Sequence, residues 1–490
     1  MLDYVLRIRD LIHGTILFTE KEMLLINHPF FQRLRQIKQN DVAFYVYPSM
    51  HISRFEHVLG VCRIAGMMAE TLTKSPKWDD YKRALKTETG LSRSDEGIKR
   101  DFVQLCRFYA LLHDIGHFPL SHLFEHAMEQ WLGPDYSQKI VEWTGFEGFE
   151  KPHEAFGATL TRRLIRDIKI PKDMGDCLLR LMGEKDLPQS NPLHIAKSVI
   201  DAEIDADRID FVQRDGLAAG GEYGNYDVRR LCDSVFIEQL GDNWLIAFSE
   251  KAITSMEALL HDRYRTYTWV QFHHKTVEMK ALVRFLIQNL LEVGLVTKEH
   301  FNFENAKEFS LKDDVWLWSM MRGMKSDDKF VKMVQGAVFY REKKYVLNLW
   351  KTRPDYHRLQ DWVAAATLNP SAKVEATDQY AIHLNKEMKK ANVMALVFDF
   401  GFFKPVESDP RKPEKHTRLY SEPKKRLTGE TLLQASKLVA HLPVIRSHEP
   451  QYFVILVGHN ARMRSKRLEQ RWIDSTSYWI DNPPSPTLFP

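Results

Sequence analysis

The sequence predicts a mostly α-helical protein, a helical core followed by a smaller α+β C-terminal lobe, and three observations carry that expectation. Apolar residues recur at helical spacing over long stretches: Val61, Ile64, Met68 and Leu72, then Phe102, Cys106, Tyr109 and His113, then Phe156, Leu160, Leu164 and Ile168. Breaks rich in Gly and Pro, such as Gly133-Pro134 and Gly145 to Pro152, punctuate these stripes. Far down the chain, the uninterrupted apolar runs Val393 to Phe398 and Tyr452 to Val457 read as buried strands. The division expected is a core over 1–300 and an α+β lobe over 301–490, the latter with basic segments and a Pro-rich tail.

Composition sets the outer limits. The chain has 490 residues, 44% hydrophobic and 27% charged, with material for two or three lobes and a large core. A net charge of +4 is too small to argue by itself for nucleic acid. Cys62, Cys106, Cys177 and Cys232 are scattered without a paired CxxC spacing, which points away from a disulfide or zinc-thiolate framework and toward a reducing, cytoplasmic setting. The opening MLDYVLRIRDLIHG has charges inside its apolar run and no apolar window reaches the length of a membrane span, so no membrane partner is expected.

Taken in order, Asp10 to Ile16 reads as a turn between short extended pieces, and a helix follows with Pro29 near its start. A loop over 46–51 leads into Arg54-Phe55-Glu56-His57, which heads the Val61 stripe. Residues 74–100 are polar and read as a surface excursion. Pro152-His153-Glu154 opens a helix, where Pro suits the first turn and Glu suits the dipole. Helices are expected over 313–324 and 327–338. The Pro-, Lys- and Arg-rich stretch 404–425 reads as a solvated loop. Arg462, Arg464, Lys466, Arg467 and Arg471 form a basic helix that is a solvated face or a contact for single-stranded nucleic acid or a regulatory nucleotide.

The chemistry concentrates at the end of the Phe102 stripe, where an apolar helix runs into His113-Asp114 and is expected to stop at Gly116, with His117 and His122 close behind. A neutral imidazole beside a carboxylate offers mixed N and O ligation, which suits Mn, Fe, Zn or Ni better than Ca. Alone, such a dipeptide is more often a capped helix end or a satisfied core histidine. Two further groups of matching type change the balance. His57 heads a core-facing stripe, and Asp207 shares a helical face with Ile200, Ile204 and Phe211 while Asp205 and Asp210 point elsewhere. A carboxylate on an apolar face must be paired, with an arginine such as Arg54, or bound to metal, since burying it bare costs several kcal/mol.

RFEHVLGV, LLHDIGHFPLSH, PHEAF and DADRIDFVQRD, in this order, resemble the HD-domain deoxynucleoside triphosphate triphosphohydrolases, including the relative with a SAM domain ahead of its catalytic core. IRDLIHGTI, HPFFQRLRQIKQ and VYPSMHISRFEH extend the resemblance, which runs from about Arg7 to about Lys280. It implies an HD-domain helical core in which His57, His113, Asp114 and Asp207 hold one divalent transition-metal ion, with Mg as an additional ion that can accompany the triphosphate. It implies that His117, His153 and Glu154 stand near the reacting phosphate and that His122 approaches the α-phosphate. Arg54 and Arg208 match phosphate-binding cations, Asp215 the contact to the sugar 3′-hydroxyl, and Phe272-His273-His274-Lys275 a segment in which His273 and Lys275 touch substrate. Phe272 and Phe211 stand where relatives carry Tyr. The implied activity is hydrolysis of dNTPs to deoxynucleoside and tripolyphosphate by a homo-oligomer, tetramer or larger. The alternatives are an HD phosphohydrolase for another nucleotide or single-stranded nucleic acid, and a nucleotide-sensing or nucleic-acid-binding protein.

Overall fold

The computed structural model describes residues 2–91, 94–147, 149, 151–183, 187–342, 346–348, 373–389, 392–399, 406, 416–447, 452–458 and 466–481. It is mostly α-helical, as the stripes predict. The chain begins with a hairpin, β1 (Tyr4–Asp10) and β2 (Gly14–Thr19), paired antiparallel with Ile8 opposite Ile16. Gly14 takes φ +69° at its turn, a conformation that favours glycine. Thr19 then caps α1 (Glu20–Ile26), accepting from the Glu22 amide while the Glu22 carboxylate accepts from the Thr19 amide. A short α2 (Pro29–Gln32) follows, with His28 as its cap.

Two helices make the centre of the larger fold. In α3 (Arg54–Leu72) and α5 (Asp95–Leu112), capped by Ser53 and Ser94, nearly every residue from Phe102 to Leu112 and most of Phe55 to Leu72 are buried, because these helices are apolar almost all round. Between them, Trp78 to Thr89 forms α4, an amphipathic helix that buries Trp78, Tyr81 and Leu85. The expectation of a polar surface excursion is thus corrected: three large apolar groups at helical spacing outweigh the charges around them. After α5 come α6 (His122–Leu132), α7 (Tyr136–Thr144), α8 (Pro152–Asp167), α9 (Lys172–Gly183), α10 (Leu193–Ser198) and α11 (Ala206–Ala218). Asp205 caps α11, accepting from the Arg208 amide at 2.7 Å.

A second sheet has the order β3-β4-β7-β8. Its β3 (Val235–Leu240) and β4 (Asn243–Ser249) form a hairpin, β7 (Arg418–Ser421) runs parallel to β4, and β8 (Arg426–Thr431) returns antiparallel. The strand at 418–421 corrects the solvated-loop reading of the end of 404–425. There Leu419 and Tyr420 are buried against the sheet, and the neighbouring basic residues hid a strand too short to show alternation.

The contacts divide the chain into two units that interleave in sequence: 1–267 with 297–317 and 404–446, and 268–296 with 318–403 and 447–490. The boundary expected at residue 300 lies beside one break between these segments, at 296/297, but the C-terminal half is shared by both units, since β7 returns to pair with β4 and β8 with β7. The second unit is the α+β lobe: β5 (Val346–Asn348) and β6 (Val393–Asp399) flank a central β9 (Tyr452–Gly458), all antiparallel. Helices Lys373–Lys389 and Lys466–Asp481 belong to it. Arg462, Arg464 and the Pro-rich tail lie outside the described residues. Among the described residues, no helix is long and apolar enough to cross a membrane.

Candidate metal centre and histidine cluster

Four side chains from three helices and one loop converge in the first unit. His57 lies in the first turn of α3, His113 and Asp114 at the end of α5, and Asp207 in the first turn of α11. His57 is wholly buried, and its Nε2 lies 2.8 Å from Asp207 Oδ1 and 3.7 Å from Asp114 Oδ2. His113 Nε2 lies 3.6 Å from Asp114 Oδ1 and 3.8 Å from Asp207 Oδ1.

Both rings are fixed from behind. His57 Nδ1 donates to Asp210 Oδ2 at 2.8 Å and His113 Nδ1 to the Ala110 carbonyl at 2.7 Å. That tautomer leaves each Nε2 with a lone pair, and both Nε2 atoms are buried without a hydrogen-bond partner despite the near carboxylates. Two orphaned imidazole nitrogens facing two carboxylates are the donor set of a divalent transition metal, and the residues present fit one. Electrostatics agree. Burial opposes a charge on His57, yet Asp207 and Asp210 raise its pKa to about 10, and Arg54 with the histidines holds Asp114 well below the usual carboxylate range against burial. The carboxylates around the His57 ring favour a cation, either a proton on His57 Nε2 or a metal ion that displaces it.

Asp210, taken from sequence to point away, is the buried partner of His57. Its ion pair with Arg214 four residues on was the available signal. Arg54 does not pair with Asp207: its guanidinium contacts Asp114 and donates to Ser121 Oγ at 2.8 Å.

Beside the metal-type ligands stands a second cluster. The Nδ1 atoms of His117, His122 and His153 lie 3.1, 3.0 and 3.0 Å from the two oxygens of Glu125. Sequence reasoning missed Glu125, which is 3% exposed on α6. The His117 and His153 rings stack at 3.9 Å, and His117 Nε2 approaches Asp114 Oδ1 to 3.2 Å, joining the two clusters. Burial, with the charge of Arg54, pushes His117 down to about 4, so it is a neutral ring near pH 7.

The loop between α5 and α6 is built to hold this arrangement. A Cβ at Gly116 would come 2.1 Å from the His153 carbonyl, so this glycine serves close approach of the loop to α8 and not the helix end, which falls at Leu112. Leu120 and Ser121 take φ +55° and +53° instead. Arg33 donates to the Ile115 and His117 carbonyls at 3.1 and 2.7 Å, and Asp314 accepts from the Leu120 and Lys38 amides at 2.7 and 2.9 Å.

The other expected residues have partners of their own. Arg208 pairs with Asp205 at 3.0 Å, and Glu154 accepts from the Lys151 amide at 3.3 Å at the start of α8. Asp215 is buried, accepts from Asn40 Nδ2 at 2.7 Å, and is pushed by burial up to about 7. His273 and Lys275 belong to the other unit, His273 capping the helix His274–Glu292 and Lys275 contacting Glu278.

The HD domain family matches residues 54–204, a span that ends three residues before Asp207. An uncharacterised protein of Methanocaldococcus jannaschii is 30% identical over 317 residues, 64% of this chain and 54% of that protein. The deoxynucleoside triphosphate triphosphohydrolase SAMHD1 of Homo sapiens is 25% identical over 272 residues, 52% of this chain and 40% of the relative. The chain thus spans about half the length of such relatives. A phosphohydrolase of Bacteroides thetaiotaomicron shares the fold, with a TM-score of 0.59 over 93% of this chain and all of the other, at 18% identity.

Proposed function

From a chain that carries an HD domain and resembles the deoxynucleoside triphosphate triphosphohydrolases, we propose a metal-dependent hydrolase that cleaves dNTPs at the α-phosphate. The observation that carries this reading is the pairing of a metal-type donor set with three histidines gathered on one carboxylate, joined at Asp114 and His117. Substrate class rests on the activity of the human relative, a deoxynucleoside triphosphate triphosphohydrolase, since the fold alone fits other phosphate esters.

His57, His113, Asp114 and Asp207 would hold a divalent ion, which would supply Lewis acidity at a phosphoryl oxygen. The chain's own residues do the rest. Arg54, buried beside Asp114, adds fixed positive charge for the triphosphate, and Arg208 offers a second guanidinium on α11. His122, 46% exposed at its side chain, is the accessible member of the cluster, and the α-phosphate is assigned to it. Water attacks the α-phosphorus, the bond from that phosphorus to the 5′-oxygen breaks, and the departing oxygen takes a proton. His153, backed by Glu125, delivers it, while His122, held neutral by burial, orients the water. The products are deoxynucleoside and tripolyphosphate.

The test is chromatography of a dGTP or dATP digest made by the purified full chain with Mn²⁺. Deoxynucleoside is expected from the first time points. A nucleoside mono- or diphosphate as the sole initial product would overturn the assignment even if metal dependence held. His153→Ala is expected to keep bound metal and lose roughly 10²-fold in turnover. A homo-oligomer of tetramer size or larger is part of the same proposal.

A further inference from the structure

We propose that His13, in the turn of the β1–β2 hairpin, is a positioning residue that sets the ligand His57 through the carboxylate of Asp210, so that the hairpin turn and the metal centre are coupled. The inference rests on the reading of His57 as a metal ligand.

Asp210 is wholly buried and gripped on both oxygens. Its Oδ2 accepts from His57 Nδ1 at 2.8 Å and from Arg214 Nε at 2.9 Å, and its Oδ1 from Arg214 Nη2 at 2.8 Å and from His13 Nε2 at 2.6 Å. The carboxylate is also closely packed: it lies against the backbone of α3, where a Cβ at Gly60 would come 1.9 Å from Oδ1. The turn is tied in a second way. Arg214 Nη1 donates to Asp10 Oδ2 at 3.0 Å, and Asp10 Oδ1 accepts from the Ile12 and His13 amides at 2.9 and 2.8 Å.

One buried carboxylate therefore reads the position of a hairpin on one oxygen and orients a metal-type ligand on the other. A charged acceptor that must satisfy both is displaced when either partner moves, and the ring of His57 turns with it. Leu11 of the same turn is 82% exposed, so a force applied to the turn from solvent has a short covalent path to His13. Coupling of this kind is reciprocal: metal binding must also restrain the turn.

The test titrates the full-length apo chain with Co²⁺, reading affinity and the visible ligand-field spectrum. His13→Ala is expected to bind ~10–100-fold more weakly, with an altered spectrum, as outer partners of ligands typically do. His13→Gln, which keeps an amide donor near the Nε2 position, should restore most of the loss, and Leu11→Ala should bind as wild type does. Hydrogen exchange on the wild-type chain adds a measurement that needs no variant to fold: Co²⁺ should slow exchange at the Ile12 and His13 amides. Wild-type affinity and spectrum in His13→Ala, or unchanged exchange at those amides, would overturn the coupling. If Asp207→Asn bound Co²⁺ as wild type does, the metal centre itself would fall, and this inference with it.

Discussion

At the scale of single residues, the candidate site depends on carboxylates that carry no chemistry of their own. Glu125 gathers three imidazole nitrogens, and those histidines hold it well below the usual carboxylate range against burial. In Glu125→Gln the side chain keeps its shape but loses its charge and one acceptor oxygen, so the rings lose a common reference. Turnover is expected to fall ~10²-fold with metal content unchanged, as read by elemental analysis beside the assay. Full activity in that variant would remove Glu125 from the mechanism. Asp207→Asn should do the reverse, lowering bound metal steeply and activity with it. Full metal occupancy there would remove Asp207 from the ligand set. The two kinds of carboxylate also differ in how far sequence reveals them. His57 and His113 stand at the ends of apolar helical stripes where a polar group demands a reason, whereas Ile200 and Ile204 lie in the turn and bends ahead of α11, so the face that drew attention to Asp207 is not a helical one. Glu125 and Asp210 have one partner each at helical spacing, His122 and Arg214, but the partners that tie them to the site, His153 and His57, lie 28 and 153 residues away, and such distances leave no periodic trace.

At the scale of elements, helices were legible wherever an apolar stripe was long, and short strands were not. The four-residue β7 lies among basic residues, and its burial depends on β4, which is far off in the chain. Close approaches of backbone are equally silent in sequence. A Cβ at Gly60 would overlap Asp210 and come within 2.6 Å of Arg214, so Gly60→Ala forces α3 and α11 apart. It is expected to lower stability by at least ~1–3 kcal/mol, read as the midpoint of urea unfolding. An unchanged midpoint would mean that the helices are not in close contact there.

The short α10 offers a test in pH. His194 accepts from Ser198 Oγ at 3.2 Å, and burial, then the charge of Lys197, push its pKa from 6.5 down to about 4. The unfolded chain therefore takes up this proton first as pH falls, and between pH 6.5 and about 4 it binds more protons than the folded chain. Stability should fall across that window and level off below it. His194→Gln is expected to flatten this part of the Tm profile, and an unaltered slope would show that His194 is not held neutral.

At the scale of the whole molecule, the surface of the hairpin is the feature that calls for a partner. Val5, Leu6, Leu11 and Leu17 are 54, 46, 82 and 37% exposed, an apolar surface on a short hairpin that water alone covers at a cost. Isolated exposed apolar residues are ordinary, but three leucines and a valine on one hairpin favour a covered surface. A second copy of the chain is the occupant proposed, in keeping with the oligomer expected from the resemblance. Light scattering at micromolar concentration should give a tetramer or larger with nucleotide present, and Leu11→Asp should reduce the mass by placing a charge in the contact. A monomer under both conditions, with and without dNTP, would contradict the assembly while leaving the chemistry of the histidine cluster untouched.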